Sequence, residues 1–383
     1  MKSIKIYYIC MIMILIFASG CSEKNREESE KEMGSGQNNL EESTVNTEGL
    51  QVIDIHEKIM DNLLIEAKVN VYGKKYKSYQ TSYKNFDVEK MTTLFMPDAK
   101  EDELQIDRSE DGSMITHQEE TININPGILR YSKDKEIIFI SELFSLAEFS
   151  NRLESRELKF MSSGQAADKA AALIEQLGLG TITGEAKISG FTKEDLTDIQ
   201  KYFMEYDEDF RVQCETGKLQ SRDHFQDEDE MYRIKYVFEQ DGLPVFGFED
   251  PPMQMMGGID APLLATPMEA TVYISSSGVR RIELYGAVDG NMKVSEDKEI
   301  ILLDDVKKAL IKKYEDVILT QEMKVTDIWL EYVPVIDIEE DNAVDLIPVW
   351  CCEFYIDHSN EEEGFSALRY ADRFHAFTGE AIQ

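Results

Sequence analysis

The chain has 383 residues, of which 40 are Lys or Arg and 75 are Asp or Glu, so its net charge at pH 7 is −35. A surface this negative repels nucleic acid and anionic headgroups, which disfavours functions that depend on gripping phosphates. It is compatible with cationic partners, such as a basic peptide or the basic face of another protein.

The first twenty residues have the three-part pattern of an export signal. Lys2 and Lys5 precede an apolar run over 6–18, and small residues lead to Cys21. The run is shorter than the roughly twenty apolar residues that a transmembrane helix needs. Ala18-Ser19-Gly20-Cys21 resembles the lipobox of bacterial lipoproteins, although Ala18 stands where that pattern prefers Leu. An ordinary secretory cleavage beside a chance cysteine is the alternative.

The lipobox resemblance implies that residues 1–20 are removed as a signal peptide and that Cys21 carries a diacylglyceryl group. Two acyl chains anchor a protein stably, because each buried methylene contributes about 0.8 kcal/mol. Residues 21–50 are rich in Glu, Ser, Asn and Gly, so we predict a disordered acidic tether with a reach of about 30 Å. These features predict a lipid-anchored protein that faces outward, at the cell surface or in the periplasm.

Residues 51–160 are expected to form an N-terminal α+β region. Val52 to Met60 has a short helical pattern, and a strand with alternating apolar residues follows from Leu63 to Val71. Strand-like character continues from Tyr76 to Tyr83. Ile137 to Ile140 suggests a buried strand, followed by a helix from about Glu142 with Ser141 as its N-cap.

Residues 161–290 are expected to form a second α+β unit. Ser162 and Gln165 have capping-box spacing before a helix that ends at Gly178, and Thr192 can cap a helix over 193–204. The Asp241-Gly242 pair between apolar runs is a strong hairpin signal, and a further hairpin joins 270–275 to 279–285.

Residues 291–383 repeat this order of elements. Leu303, Val306, Leu310 and Tyr314 mark an amphipathic helix, and strands are expected over 326–336, 346–356 and 370–377. A short strand-like end follows over 380–383. The predicted fold class is therefore α+β, with tandem units of a helix packed on an antiparallel sheet.

The two later units share short motifs. The segment Leu243-Pro244-Val245-Phe246 is similar to Ile347-Pro348-Val349-Trp350, and Gly278 and Gly379 occupy corresponding turns. Such units resemble PepSY-like modules and the envelope regulatory proteins of the YycH/YycI type, which carry them in tandem. The resemblance implies a non-enzymatic module that binds or restrains a partner outside the membrane. More loosely, the whole chain resembles lipoproteins of Gram-positive gut anaerobes.

The sequence contains no recognisable metal or cofactor motif, and we expect no metal and no cofactor. The histidines are isolated, so each is interpreted as a surface or satisfied side chain. They are His56, His117, His224, His358 and His375. Acidic runs at 227–230, 339–341 and 361–363 are interpreted as solvated loops, with weak calcium binding as the alternative.

Three cysteines remain after the signal and the anchor: Cys214, Cys351 and Cys352. An odd number gives no complete disulfide framework. Adjacent residues in a strand point to opposite faces, so buried thiols are expected at Cys351 and Cys352. A bridge from Cys214 to one of them is the alternative in an oxidising compartment.

Residues 249–266 form a long predicted loop that carries flexible methionines, which suit an adaptable binding surface. The candidate contact residues for a partner are Met253, Met255, Met256, Leu263 and Leu264. Packing of the same loop across a sheet edge is the alternative.

No catalytic motif is recognisable, and we name no catalytic residue. The sequence predicts a lipid-anchored, non-enzymatic binding or regulatory protein of the cell envelope. Its partners are the membrane, through the lipid on Cys21, and an envelope protein or cationic peptide, with no nucleic acid. The alternative is an extracytoplasmic hydrolase whose site carboxylates are dispersed along the sequence.

Overall fold

The computed structural model describes residues 44–45, 51–70, 72–110, 112–150, 152–153, 156–179, 186–246, 263–264, 268–336, 343–357 and 367–382. These residues belong to one compact unit that spans 41–383. Two large sheets dominate it, and nearly all neighbouring strands in them are antiparallel.

Sheet I joins both ends of the body. Its main path follows this order: β1 (Thr44–Val45), β2 (Gln51–Met60), β3 (Leu63–Asn70), β19 (Met323–Ile336), β20 (Ala343–Asp357), β21 (Ala367–His375) and β22 (Ala381–Ile382). Three shorter strands join this path: β5 (Tyr79–Ser82), β14 (Leu263–Leu264) and β17 (Lys293–Val294). Strand β19 pairs in parallel with β3, so chain segments about 260 residues apart are hydrogen-bonded neighbours.

Sheet II is antiparallel throughout its described length. Its order is β10 (Lys187–Phe191), β11 (Met231–Val237), β15 (Glu269–Ser275), β16 (Gly278–Tyr285), β9 (Ile128–Ser132), β8 (Glu120–Asn125), β7 (Ser113–His117) and β6 (Gln105–Arg108). Two small ribbons complete the strands: β4 (Lys75–Tyr76) with β18 (Lys298–Glu299), and β12 (Glu239–Gln240) with β13 (Leu243–Pro244).

Six α-helices lie in the described part of the chain: α1 (Val88–Phe95), α2 (Glu136–Phe149), α3 (Ser163–Gln176), α4 (Lys193–Tyr206), α5 (Glu208–Glu215) and α6 (Leu303–Tyr314). The apolar face of α6 carries Val306, Leu310 and Tyr314 into the core. The predicted α+β class, with helices packed on antiparallel sheets, is confirmed.

The main core is shared by the two sheets. Leu63 and Ile65 of sheet I belong to the same apolar cluster as Ile122 and Ile234 of sheet II. A second cluster, which includes Phe144, Phe203 and Tyr273, lies between sheet II and helices α2, α4 and α5. Sheet II is therefore covered by apolar side chains on both faces.

The strands of the N-terminal region are divided between the two sheets. β2 and β3 pair within sheet I, whereas β6 to β9 belong to sheet II. The motif at Leu243–Pro244 lies in the small ribbon, whereas Pro348 lies inside the central strand β20. Gly278 begins β16 directly after a turn, Gly379 directly follows the turn over 376–378, and both have positive φ.

Two element predictions are wrong. Val52 to Met60 is strand β2, because it folds back on β3 through a tight turn at Asp61 and Asn62, and this long-range pairing overrides the weak helical pattern. Ile137 to Ile140 lies inside helix α2, which begins at Glu136, so Ser141 is an interior residue of the helix and the prediction of Ser141 as its N-cap is also wrong. The Asp134 carboxylate accepts a hydrogen bond from the Ile137 amide at 2.8 Å. The inward positions of α2 are so apolar that its sequence resembles a buried strand.

The predicted capping box at Ser162 and the predicted N-cap at Thr192 are confirmed, and Thr192 also forms a capping box. The Ser162 hydroxyl accepts from the Gln165 amide and the Gln165 side chain accepts from the Ser162 amide, and Thr192 and Asp195 do the same at α4. Hairpins at Asp241-Gly242 and between β15 and β16 are present as predicted.

Candidate functional site

The residues predicted for lipid attachment and partner contact are largely outside the described part of the chain. Four lie outside it altogether: Cys21, Met253, Met255 and Met256. For Leu263 and Leu264 the structure gives the backbone, which forms β14 and pairs with Ile336 and Val335 at the end of β19. The end of the predicted contact loop thus adds a short strand to sheet I.

The vicinal cysteines occupy buried positions, as predicted. Cys351 and Cys352 are completely inaccessible, and burial raises the pKa of both thiols above the ordinary value. Cys351 is near Glu331 and Cys352 is near Asp372, in keeping with the alternation of a strand. Cys214 is half-buried on α5, and the three described thiols are free.

An open cavity of about 310 Å³ lies where α1 ends against sheet II. Pro97 stops α1 because it cannot continue a helix, and the following residues Asp98 and Ala99 form part of the cavity rim. Its apolar wall includes Phe95, Leu173 of α3 and Val279 of β16. Phe95 stacks on Tyr131 with ring centroids 4.8 Å apart, which holds the tyrosine against the wall.

Polar groups enter the cavity from the hairpin of β7 and β8. His117 and Glu120 are cross-strand partners across a two-residue turn in which Gln118 has φ 56°. The imidazole Nδ1 lies 3.6 Å from Glu120 Oε2, and Nε2 lies 3.6 Å from Glu103 Oε2. The hairpin therefore fixes a nearly buried histidine between two carboxylates, beside open space.

The hydrogen bonds at this site are incomplete. The Tyr131 hydroxyl donates to Glu120 Oε1 at 2.9 Å, and burial together with this bond raises the pKa of Tyr131. Hydrogen bonds from Lys100 lower the pKa of Glu103, and His117 adds to that effect. Within the described residues, His117 Nδ1 has no hydrogen-bond partner although its residue is 9% exposed. Buried polar atoms are normally satisfied, and this nitrogen is one of seven buried side-chain atoms without a hydrogen bond in the described part of the chain.

Lys133 supplies a positive charge to the same cavity. Lys133 directly follows Ser132, the last residue of β9, which pairs with Thr121 of β8. His117, Glu120 and Lys133 all line the cavity. Lys133 forms no ion pair with a described residue.

Other buried charges are paired with each other. Arg373 Nε donates to Glu331 Oε1 at 2.8 Å, and the Arg373 guanidinium lies over the Phe246 ring at 4.1 Å. Arg233 contacts Glu148 at 2.7 Å, and Lys235 contacts Glu269 at 3.1 Å. Removing one partner from such a pair is costly, so we assign these pairs a structural role.

The described acidic run is only partly solvated. Asp229 is 2% exposed and pairs with Arg222 at 2.7 Å, which corrects its interpretation as part of a solvated loop. Asp227, in contrast, is exposed and pairs with Lys193. The runs at 339–341 and 361–363 lie outside the described residues. No group of three or more His, Cys, Asp or Glu in the described ranges could hold a metal ion.

Sequence reasoning missed this site. The interpretation of His117 as an ordinary surface or satisfied side chain is wrong, because the side chain is buried and one nitrogen lacks a hydrogen bond. The apolar-polar alternation around 113–125 could have identified the β7–β8 hairpin. It gives no signal that α1, α3 and β16 close a cavity around it.

Comparisons with known proteins give the fold and no activity. No protein-family model matches the sequence, and no curated protein matches it. Among solved structures, the chain is similar to the crystal structure of an uncharacterized protein from Eubacterium rectale ATCC 33656, with a TM-score of 0.55 and 15% identity. The similarity covers 86% of this chain and 93% of that chain. Among the helices of the described residues, none has the length and apolar character required to cross a bilayer.

Proposed function

We propose that the protein is a lipid-anchored, outward-facing binding protein of the cell envelope and that its body binds a small ligand in the His117 cavity. The observation that carries the binding role is a cavity of about 310 Å³ that combines an apolar wall with His117, Glu120 and Lys133, and Lys133 forms no ion pair with a described residue. Ligand sites in proteins combine an apolar wall with a few oriented polar groups, and this volume is at their lower limit. The lipobox at Cys21 supports the location.

Binding is tested by ligand-observed NMR with a library of small polar molecules and the full-length protein in detergent micelles. Val279→Trp fills the cavity from its apolar wall and should abolish the binding signals. Ile318→Trp is the matched control, because Ile318 is 90% exposed and does not line the cavity. Equal binding by both variants, or none by the wild type, would contradict the cavity assignment.

The location is tested separately. Cys21→Ala should release the protein from washed membranes, because a protein without the lipid has no anchor. Retention of the variant on the membrane would refute lipid anchoring and leave the ligand-binding role untouched.

A hydrolase is the second candidate. The observation that favours it is the position of His117 between the carboxylates of Glu103 and Glu120, since such groups serve as general acids and bases. The same NMR samples distinguish the two functions. A binding protein leaves the ligand unchanged over hours, whereas a hydrolase produces new resonances from its products.

The predicted contact loop over 249–266 has a proposed function of its own in the envelope. We propose that the methionines of 249–266 contact an envelope protein, in line with the PepSY-like resemblance. Deleting 249–262 keeps the backbone residues of β14 and should remove a partner cross-linked at the cell surface. Recovery of the same partner by the deletion variant would exclude this loop as the contact.

A further inference from the structure

Lys133 has no carboxylate partner among the described residues, whereas several other buried or half-buried cations are paired. Arg222, Arg233, Arg280 and Lys313 each contact a carboxylate within 2.7 Å in the described structure. Glu120 lines the same cavity as Lys133, but the contacts of its carboxylate are with Tyr131 and His117. A half-buried ammonium without a counter-ion attracts an anionic ligand group.

A negative subsite lies beside this lysine. Glu120 Oε2 is 3.6 Å from His117 Nδ1, which exceeds ordinary hydrogen-bond distance. Asp98 lies on the cavity rim and forms no ion pair with a described residue. Both carboxylates can therefore accept hydrogen bonds from a ligand ammonium.

The charge of the whole chain discriminates between ligand classes. With a net charge of −35, the protein repels a simple organic anion during its approach and attracts cations without specificity. A zwitterion carries no net charge, so the long-range field does not oppose its entry. Phe95, Leu173 and Val279 leave an apolar wall for an uncharged side chain.

We propose that the cavity binds a small zwitterion, an apolar α-amino acid or dipeptide, with its carboxylate on Lys133 and its ammonium between Glu120 and Asp98. This inference rests on the proposed binding function and specifies its ligand class. A volume of about 310 Å³ is sufficient for a molecule of this size.

The test is isothermal titration calorimetry of the full-length protein in detergent micelles with four matched probes. Leucine carries both charges, 4-methylpentanoate lacks the ammonium, and 3-methylbutylamine and leucinamide lack the carboxylate. We expect leucine to bind and each of the others to bind about tenfold to hundredfold more weakly, since each loses charge-assisted hydrogen bonds.

Variants of Lys133 test where the ligand carboxylate binds. Lys133→Met should weaken leucine binding by about tenfold or more and Lys133→Arg should retain most of it. Lys90→Met is the control, because Lys90 is exposed on α1 and does not line the cavity. Thermal unfolding of each variant shows whether it still folds. The probe series uses only the wild-type protein, so it tests the proposal even if a variant fails to fold.

The outcomes separate this inference from the function on which it rests. Equal affinity for leucine and for an analogue that lacks one charge overturns the zwitterion assignment. The zwitterion assignment is also overturned if none of the four probes binds while other library members bind the wild type and not the Val279→Trp variant. In that case the cavity is still a ligand site. If no compound binds in either experiment, both proposals fail.

Discussion

At the residue scale, one aspartate links the two sheets. Asp241 lies at the tip of the β12–β13 ribbon with φ 51°, a left-handed conformation that Asp and Asn tolerate better than other residues. Its Oδ2 accepts from the Tyr79 hydroxyl at 2.5 Å and lies 3.1 Å from that of Tyr332. Both tyrosines belong to sheet I, whereas the ribbon continues from β11 of sheet II.

Replacing Asp241 should therefore weaken the contact between the sheets. Asp241→Asn keeps the turn and an acceptor oxygen, so we expect a loss of about 1 kcal/mol in the free energy of unfolding. Asp241→Ala also removes the acceptor from a buried hydroxyl, and we expect about 2–3 kcal/mol. Urea unfolding measures both. Asp198→Ala on the exposed face of α4 is the control and should change stability by less than about 0.5 kcal/mol. Equal effects of all three variants would exclude the linking role.

Buried tyrosines predict sensitivity to alkali. Burial, followed by the hydrogen bond to Asp241, raises the pKa of Tyr79 to about 12, and burial raises that of Tyr370 to about 12. The folded protein holds these phenolic protons more tightly than the unfolded chain, whose tyrosines titrate near pH 10. Their contribution to stability is therefore complete below about pH 10 and is lost as the pH rises to about 12. Urea midpoints across this window should fall, and Tyr79→Phe should make the decline less steep. An unchanged slope in Tyr79→Phe would contradict this assignment.

At the element scale, the close approach of β10 to its neighbour requires a glycine. A Cβ at Gly190 would lie 2.6 Å from the Arg156 carbonyl oxygen and 2.7 Å from Cε1 of Tyr232. The tyrosine cannot move freely, because its hydroxyl bonds the Leu158 amide at 2.7 Å and the Met161 carbonyl at 2.9 Å. Sheet II thus depends on the absence of a side chain at this position.

A pair of glycine substitutions tests this requirement. Gly190→Ala should reduce the free energy of unfolding by about 1–3 kcal/mol through overpacking. Gly164→Ala in α3 meets nothing within 4 Å and should increase it by about 0.5 kcal/mol, since alanine restricts the unfolded chain. Chemical denaturation compares the two directly. Equal tolerance of alanine at both positions would show that Tyr232 and Arg156 can rearrange.

At the scale of the whole molecule, sheet I requires both ends of the body. β19 needs β3 along one edge, and β20 needs β5 as well as β21. The sequence-based partition into units at 161–290 and 291–383 stays a prediction, and this pairing provides a way to test it. Because β3 and β5 come from the first 82 residues, a fragment that lacks them exposes unpaired strand edges.

We expect the fragment 291–383 alone to remain unfolded or to aggregate. Co-expression with 51–290 should restore a soluble complex with native circular dichroism, since the missing strand partners are then present. Nuclear magnetic resonance spectra of the isolated fragment provide the measurement. Well-dispersed amide signals from 291–383 alone would support an independent unit instead.

Local sequence signals determined several elements of the fold and the overall fold class. Helix caps at Ser162 and Thr192, the Asp241-Gly242 hairpin and the α+β class could be predicted because each depends on residues a few positions apart. The predicted location outside the membrane likewise depends on a short segment, the lipobox-like residues that end at Cys21, together with the acidic composition. The structure of β2 and of α2 could not be predicted locally, because long-range pairing and burial override their intrinsic propensities.

Only the tertiary structure decided where the candidate site lies. His117 and Lys133 have no distinguishing pattern in the sequence. They become candidate site residues because the β7–β8 register pairs His117 with Glu120 and because both line one cavity with residues of α1 and α3. Register and helix packing are set by contacts between distant segments, and single-sequence periodicity does not encode them. The sequence alone therefore predicts a location for this protein, and only the packed structure contains the cavity on which the proposed binding function rests.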